Sequence, residues 1–483
     1  MTTREVVIVG AGFGGIGMAR ELVRRGVTDF ELLERASDVG GTWRANTYPG
    51  CQCDIPSNLY SFSFAPKPDW THAYPEQPQI LEYLRHCDDR FGVRPHLRLD
   101  CEVTDARWDD DAAVWDIETS QGPLRAHTLI AAPGLLSNPR VPERFRAFEG
   151  EVFHSAQWDH DTPLDGRRVG MVGTGASAIQ IGPAIQPRVR SLTVFQRSAP
   201  WIIPHPDRAI PDAMKRLYTR VPAVQRLARG AIYAAHETMA PGLTYFPRLM
   251  KGQEANARLL RRRQVKDPEL LAKVTPDYEI GCKRILLSSD WYPMLAEPNV
   301  ELVTDGIEEV RAHSIVTAGG TEHELDALVM ATGFDPVNIP LAQRLHGRDG
   351  RSLTDVWGGS PQAFLGTAVA GFPNLFMIYG PNLNQGHTSM VYLLESQIAY
   401  VGQALERLGR LGAMEVRPEV QQRYNDDLQR RLAGSVWNNG GCSSWYLDEN
   451  GHNSIQWPGF SFSFRNRTRR FELSDYRLRP AVA

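Results

Sequence analysis

Two glycine-rich turns carry the first chemistry in this chain. Gly10-Ala11-Gly12-Phe13-Gly14-Gly15 follows the apolar run from Glu5 to Val9 and opens a helical pattern that reaches about Arg25. Gly173-Thr174-Gly175-Ala176-Ser177-Ala178 follows the run from Arg168 to Val172 and opens a second one. A glycine turn between a strand and a helix can cradle a pyrophosphate. The first glycine permits the tight turn, the second lets backbone approach the phosphates, and the third lets helix and strand pack closely. The bland alternative is a turn that holds no ligand.

A charged side chain downstream of each turn separates the two. Glu34 lies 24 positions after Gly10, at the end of a short strand Phe30 to Leu33, and Arg197 lies the same 24 positions after Gly173, after the strand Ser191 to Gln196. A carboxylate there suits a free ribose 2′-hydroxyl, and a guanidinium suits a 2′-phosphate. The first unit therefore reads as a site for FAD and the second as a site for NADPH, although Arg197 read alone could be a solvated surface charge.

Further elements must position these turns. Leu97 to Trp108, Ala113 to Thr119 and Arg125 to Ala131 read as strands of a small antiparallel layer ending at Ala132-Pro133-Gly134. From about Pro211 to Thr275 the chain is rich in Arg, Leu and Ala with helical spacing, and Pro222, Gly230 and Pro241 are expected to break it into pieces. A helical roof over the active site suits it better than a membrane-touching surface. The strands Val300 to Val303 and Leu325 to Met330 then lead to Ala331-Thr332-Gly333-Phe334. A helix is expected from Thr388 to about Leu408, its N–H groups aimed at a flavin.

The chain has 483 residues, 42% hydrophobic and 23% charged, with a formal net charge of -3. That balance gives no reason to expect nucleic acid or an anionic membrane as partner. No apolar run approaches the roughly 18 residues of a membrane span. The first strand begins too early for a cleaved leader, so a cytoplasmic enzyme is the expectation. The six cysteines show no C-x-x-C pair. A reducing compartment fits them, and a chain of this size needs no disulfide staple. Cys51-Gln52-Cys53 is too short a spacing for the redox pair of a disulfide reductase, and it lacks partners for a metal site.

Two longer patterns carry a resemblance. Phe148, Gly150, His154, Trp158 and Asp159 fit F-x-G-x-x-x-H-x-x-x-W-D, and Gly40, Gly41, Trp43, Tyr48, Pro49, Gly50 and Asp54 fit G-G-x-W-x-x-x-x-Y-P-G-x-x-x-D. Together they resemble the fingerprints of type I Baeyer–Villiger monooxygenases, and the resemblance covers nearly the whole chain. It implies an α/β fold with two dinucleotide-binding, Rossmann-like domains and a helical insertion. The expected partition is an FAD domain from 1–145 and 341–483, a fingerprint linker at 146–160, an NADP domain from 161–210 and 276–340, and the insertion at 211–275.

The same resemblance implies residue roles. Arg284 is the active-site cation, with Asp54 holding it and contacting the nicotinamide. Lys283 joins Arg197 on the 2′-phosphate. Phe13, Gly41, Thr42, Trp43, Tyr60, Val103 and Met390 surround FAD. Thr174, Gly175, Ala176, Ser177, Ala178, Gln180 and Ser198 run along NADPH. Trp445 matches a tryptophan that folds over the nicotinamide nucleotide, while Asn382 and His387 fall where substrate-facing loop residues would be and read equally well as satisfied structural groups. For His154 a role in coupling domain rotation is favoured over acid–base chemistry.

The implied reaction inserts one atom of O₂ next to a ketone carbonyl through a C4a-peroxyflavin, giving an ester or lactone. Arginine suits such an anion because it stays charged at any working pH. Alternatives are oxygenation of sulfur or nitrogen by a related flavin enzyme, and a reductase or oxidase that transfers no oxygen. The family carries threonine before the glycine of Ala132-Pro133-Gly134, so Pro133 is a departure from its pattern.

Overall fold

The computed structural model describes residues 2–409 and 412–479. Val6, Val7 and Ile8 are all buried, so this part of the strand Thr3–Val9 must be covered on both sides. It pairs in parallel with Phe30–Leu33 on one edge and with Leu124–Ala131 on the other. The helix Phe13–Arg24 follows it directly.

The strands expected to form a separate antiparallel layer belong instead to this same sheet. Leu97–Arg98 ends before Val103–Asp109 begins, and it pairs in parallel with Phe30–Leu33 at one sheet edge. Val103–Asp109 runs antiparallel to Val114–Thr119, which in turn pairs with Leu124–Ala131. The reason lies in how Leu124–Ala131 divides one of its edges. Residues 124–126 face Val114–Thr119, while 129–131 pair in parallel with Leu375–Met377. That second pairing returns the late part of the chain to the first sheet.

The second sheet has five parallel strands, in the order Val300–Val303, Ser191–Phe195, Arg168–Val172, Ala327–Met330 and Glu151–His154. Residues of the expected linker thus form its edge strand. A three-stranded antiparallel hairpin of Ile307–Arg311, Ser314–Thr317 and Glu322–Glu324, not anticipated from the sequence, leads into Ala327–Met330.

The insertion is helical, with Asp212–Arg220, Pro222–Glu237, Ala240–Thr244, Lys251–Gln264 and Pro268–Lys273. Pro222 and Pro241 stand in first turns, where a missing N–H costs nothing. Gly230, expected as a break, lies inside Pro222–Glu237 because an exposed helical glycine costs only about 1 kcal/mol. The helix expected from Thr388 to about Leu408 is Met390–Leu408, capped by the Ser389 hydroxyl accepting from the Val391 N–H. Among the described residues, no helix is long and apolar enough to cross a membrane.

Candidate functional site

Both glycine turns are built as cradles. Gly10 has φ +101°, and a Cβ there would sit 2.5 Å from the Ala132 carbonyl oxygen. Gly173 repeats this with φ +111°, packed against the Ala331 carbonyl. The middle glycines differ from the first ones. A Cβ on Gly12 would meet only Gly41 Cα, at 3.7 Å, and one on Gly175 would meet nothing within 4 Å. That open space beside exposed backbone is what a pyrophosphate needs, so the residues present fit both dinucleotides.

Around the first turn, Glu34 is buried and its carboxylate accepts from the Ala11 N–H at 2.8 Å and the Ala36 N–H at 3.0 Å. The acid thereby locks the glycine loop, and its remaining lone pairs are the ones left for a ribose hydroxyl. Gly41, Thr42 and Trp43 start the short helix Thr42–Ala45 beside Gly12. Trp43 Nε1 donates to the Tyr60 hydroxyl at 3.0 Å, and Phe13 meets the Tyr60 ring edge-on at 5.3 Å. Val103 is buried at its strand start, and Met390 packs partly buried on the core.

The structure brings Asp54 and Arg284 together across 230 positions of sequence. Nε donates to Asp54 Oδ2 and Nη2 to Oδ1, each at 2.7 Å, a bidentate pair. Burial pushes the Asp54 carboxyl up, but the Arg284 charge and its hydrogen bonds overcome this and hold it below the usual carboxylate range. The Asp54 charge in turn raises Arg284, so the pair is ionic at any working pH. The side chains keep 25% and 33% of their surface exposed. Among the described residues Nη1 makes no hydrogen bond, which leaves one edge of the guanidinium for a ligand.

Two more cations converge nearby. Lys283 Nζ donates to Ser198 Oγ at 2.7 Å. Burial lowers the Lys283 ammonium, and the neighbouring Arg197 charge lowers it further. Two positive groups held against each other beside Ser198 form a place for an anion, and Arg197 itself is exposed. Thr174 Oγ1 donates to the Ser198 carbonyl at 3.3 Å, joining the second glycine turn to this corner. Ala176 and Ser177 lead from it into the helix Ala178–Ile185. Gln180 has other duties: its Oε1 accepts from the Tyr48 hydroxyl at 3.0 Å and its Nε2 donates to the Gln52 carbonyl at 2.9 Å.

His154 is buried and both of its ring nitrogens are engaged. Its Nδ1 accepts from the Ala156 N–H at 3.1 Å, so Nε2 carries the proton it donates to the Gly333 carbonyl at 2.9 Å. Burial lowers its pKa, which favours this neutral form. Phe153 meets Trp158 edge-on at 4.8 Å, and His160 reaches Thr47 Oγ1 at 2.9 Å. The fingerprint thus fastens the second sheet to the segment beside Trp43.

One expectation needs correction, and several other positions are engaged in structural contacts. Asn382 is engaged as a structural group, its Nδ2 donating to the carbonyls of Asn453 and Gln456. The His387 ring is sealed and pairs with Glu237 at 3.3 Å. Cys51 and Cys53 are free and buried, and burial raises both thiols, Cys51 to about 12. Most consequentially, the expectation of no disulfide fails, since Cys282 is bonded to Cys442. Trp445 is 41% exposed and leans on its neighbour Tyr446 with ring centroids 4.9 Å apart.

Two tyrosines lie under the influence of the Arg284 charge. Tyr446 is buried, and burial raises its hydroxyl to about 12 against the lowering effect of the Arg284 charge. Tyr379 is raised by burial and felt by the same charge, and it donates to Asn384 Oδ1 at 2.9 Å. Its φ of +66° is the only local sign of something unusual, and nothing in its immediate sequence announces it.

The double cradle, with one arginine clamped between the two halves, defines a two-dinucleotide flavoprotein. Residues 7–228 match the family described as pyridine nucleotide-disulphide oxidoreductase. A Baeyer–Villiger monooxygenase of Streptomyces coelicolor is 49% identical, covering 99% of this chain and 93% of the relative. One of Pseudomonas aeruginosa is 47% identical over 98% of this chain and 91% of its own length. A solved structure described as oxidized steroid monooxygenase bound to NADP superposes with a TM-score of 0.88 at 31% identity, covering 99% of this chain and 100% of that one. The chain belongs to the Baeyer–Villiger monooxygenase family.

Proposed function

We propose that this chain is an FAD-containing, NADPH- and O₂-dependent monooxygenase that inserts one oxygen atom beside a ketone carbonyl to give an ester or lactone. The observation that carries the reading is the Arg284–Asp54 pair with Nη1 left over. Bound FAD would supply the two-electron carrier and the centre that reacts with O₂. The chain supplies the rest.

Asp54 takes two of the three guanidinium nitrogens and so fixes the plane of the fork. The third can then donate to an oxygen on which negative charge develops, at a place already oriented before reaction. Buried Tyr446 and partly buried Tyr379 narrow the neighbourhood, which limits competition by water. Lys283, Arg197 and Ser198 hold the 2′-phosphate, and Glu34 takes the ribose of FAD. We assign Thr42, Trp43, Tyr60, Val103 and Met390 to the flavin side. Thr174 to Ala178 take the pyrophosphate of NADPH. Trp445, being exposed, is free to close over the nucleotide, and Gln180 serves the junction between the sheets. The substrate is a small ketone.

A panel of linear, cyclic and aryl ketones set against sulfides, assayed with NADPH and O₂, tests this. Ester or lactone from at least one ketone class is expected. Sulfoxide with no ester from any ketone would overturn the reading.

A further inference from the structure

The turn that carries Arg284 is anchored to the C-terminal part of the chain as well as to Asp54. Cys282, two positions before Arg284, is bonded to Cys442 with Cα atoms 6.1 Å apart and 160 positions between them. Cys51, Cys53, Cys87 and Cys101 are free and buried. Around the bridge the two segments are closely fitted. The Glu279 N–H donates to the Gly440 carbonyl at 2.9 Å, and the Cys282 N–H closes the turn on Glu279 at 3.1 Å. A Cβ on Gly440 would lie 2.5 Å from Cys282 Cβ, so only glycine admits the contact. Gly281, at φ +97°, faces Val436 of the short helix Val436–Asn439 and Leu243 of the insertion.

This arrangement has a chemical consequence. Lys283 and Arg284 leave the turn immediately after Cys282 and point to two different tasks, one at Ser198 and one at Asp54. Four residues beyond Cys442 comes Tyr446, which is buried under the influence of the same arginine. One covalent bond therefore joins the segment holding the cation to the segment that encloses it. Cys442 is partly exposed, so the bridge is within reach of a soluble thiol.

We propose that the Cys282–Cys442 bridge is a positioning element for Arg284, holding the Glu279–Arg284 turn on the C-terminal segment so that the guanidinium keeps its place against Asp54. The proposal rests on the reading of Arg284 as the cation of the reaction. When a dithiol opens the bridge, the two sulfurs take up two electrons and two protons, and the dithiol leaves as its cyclic disulfide. The turn then rests on hydrogen bonds and packing alone. Displacement of a fixed charge by about 1 Å is enough to cost on the order of 100-fold in a catalytic step. Reduced flavin that meets O₂ without that charge in place yields hydrogen peroxide in place of ester.

The test begins with thiol titration of the holoenzyme, unfolded without reductant. Four thiols are expected, as Cys51, Cys53, Cys87 and Cys101, and six would overturn the proposal. Next, ester and hydrogen peroxide are counted per NADPH consumed for wild type, Cys442→Ser and Cys442→Ala. NADPH consumption should stay within about twofold while ester per NADPH falls by about threefold or more and peroxide rises to match. Dithiothreitol should reproduce that fall in wild type, reversibly, and leave the serine variant unmoved. An unchanged ester-to-NADPH ratio after the bridge is opened would overturn the proposal, and this arm needs no variant to fold. Arg284→Ala is measured in parallel. If it stays coupled, the role of Arg284 fails instead, whatever the bridge does.

Discussion

The two glycine turns share a backbone and oppose each other in charge. Gly10 and Gly173 have nearly the same φ, and each packs against the carbonyl of an alanine at the end of a parallel neighbour strand. Yet Glu34 is buried and bonded to the loop it serves, while Arg197 is exposed beside Lys283. An acid that stabilises its own loop suits a cofactor that stays. A pair of cations that make no salt bridge among the described residues suits a phosphorylated nucleotide that comes and goes. On the proposed assignment one scaffold yields a resident site and an exchanging site, through the side chain 24 positions on.

Substitution at those two positions is the sharpest way to break the comparison. Arg197→Ala should raise the KM for NADPH by about 10- to 100-fold, given roughly 1.5–3 kcal/mol for hydrogen bonds to a charged group. The KM for NADH should move little, and equal effects on both would remove the 2′-phosphate assignment. Glu34→Ala should leave NADPH kinetics alone. It strands the buried Ala11 N–H, at a cost of about 1–3 kcal/mol, and so lowers flavin retention during dialysis. Full flavin content with an unchanged melting temperature would show that the carboxylate does neither job.

A smaller effect concerns the junction between the halves. Burial depresses His154 below its ordinary value of 6.5. Above 6.5 both folded and unfolded states are neutral there and stability is level. As pH falls from 6.5 toward the folded value, the unfolded chain binds a proton that the folded one refuses, and stability drops. His205 and His236 are depressed by burial as well and add to the same slope. His154→Gln should therefore flatten the fall in unfolding free energy between about pH 6.5 and 5, by up to about 1.4 kcal/mol per pH unit, seen as a shallower fall in melting temperature. An unaltered slope would mean that His154 takes its proton without loss of fold.

How much of this was legible in the sequence depended on whether the signal was local. Gly10, Glu34, Gly173 and Arg197 could be read because a turn, its flanking strand and its charge lie within 24 positions. The partnership of Asp54 with Arg284 spans 230 positions and came from the resemblance, not from spacing. The bond between Cys282 and Cys442 had no such aid: two lone cysteines in a large chain look like ordinary buried thiols until the fold brings them together. Leu97 to Trp108 reads as one strand because its apolar alternation hides the break between Arg98 and Val103. Gly230 misled in the opposite direction, since the cost of one exposed glycine is less than that of ending a sixteen-residue helix.

The central claim is that a guanidinium clamped by Asp54 directs oxygen to a carbonyl. The most direct measurement compares wild type and Arg284→Ala in a single-turnover mixing experiment with NADPH, O₂ and an accepted ketone. Flavin reduction by NADPH should persist within about tenfold, while ester formed per flavin falls by about 10²–10³-fold, the range seen when an oriented charge-stabilising donor is removed. Ester yield preserved in Arg284→Ala would contradict the account.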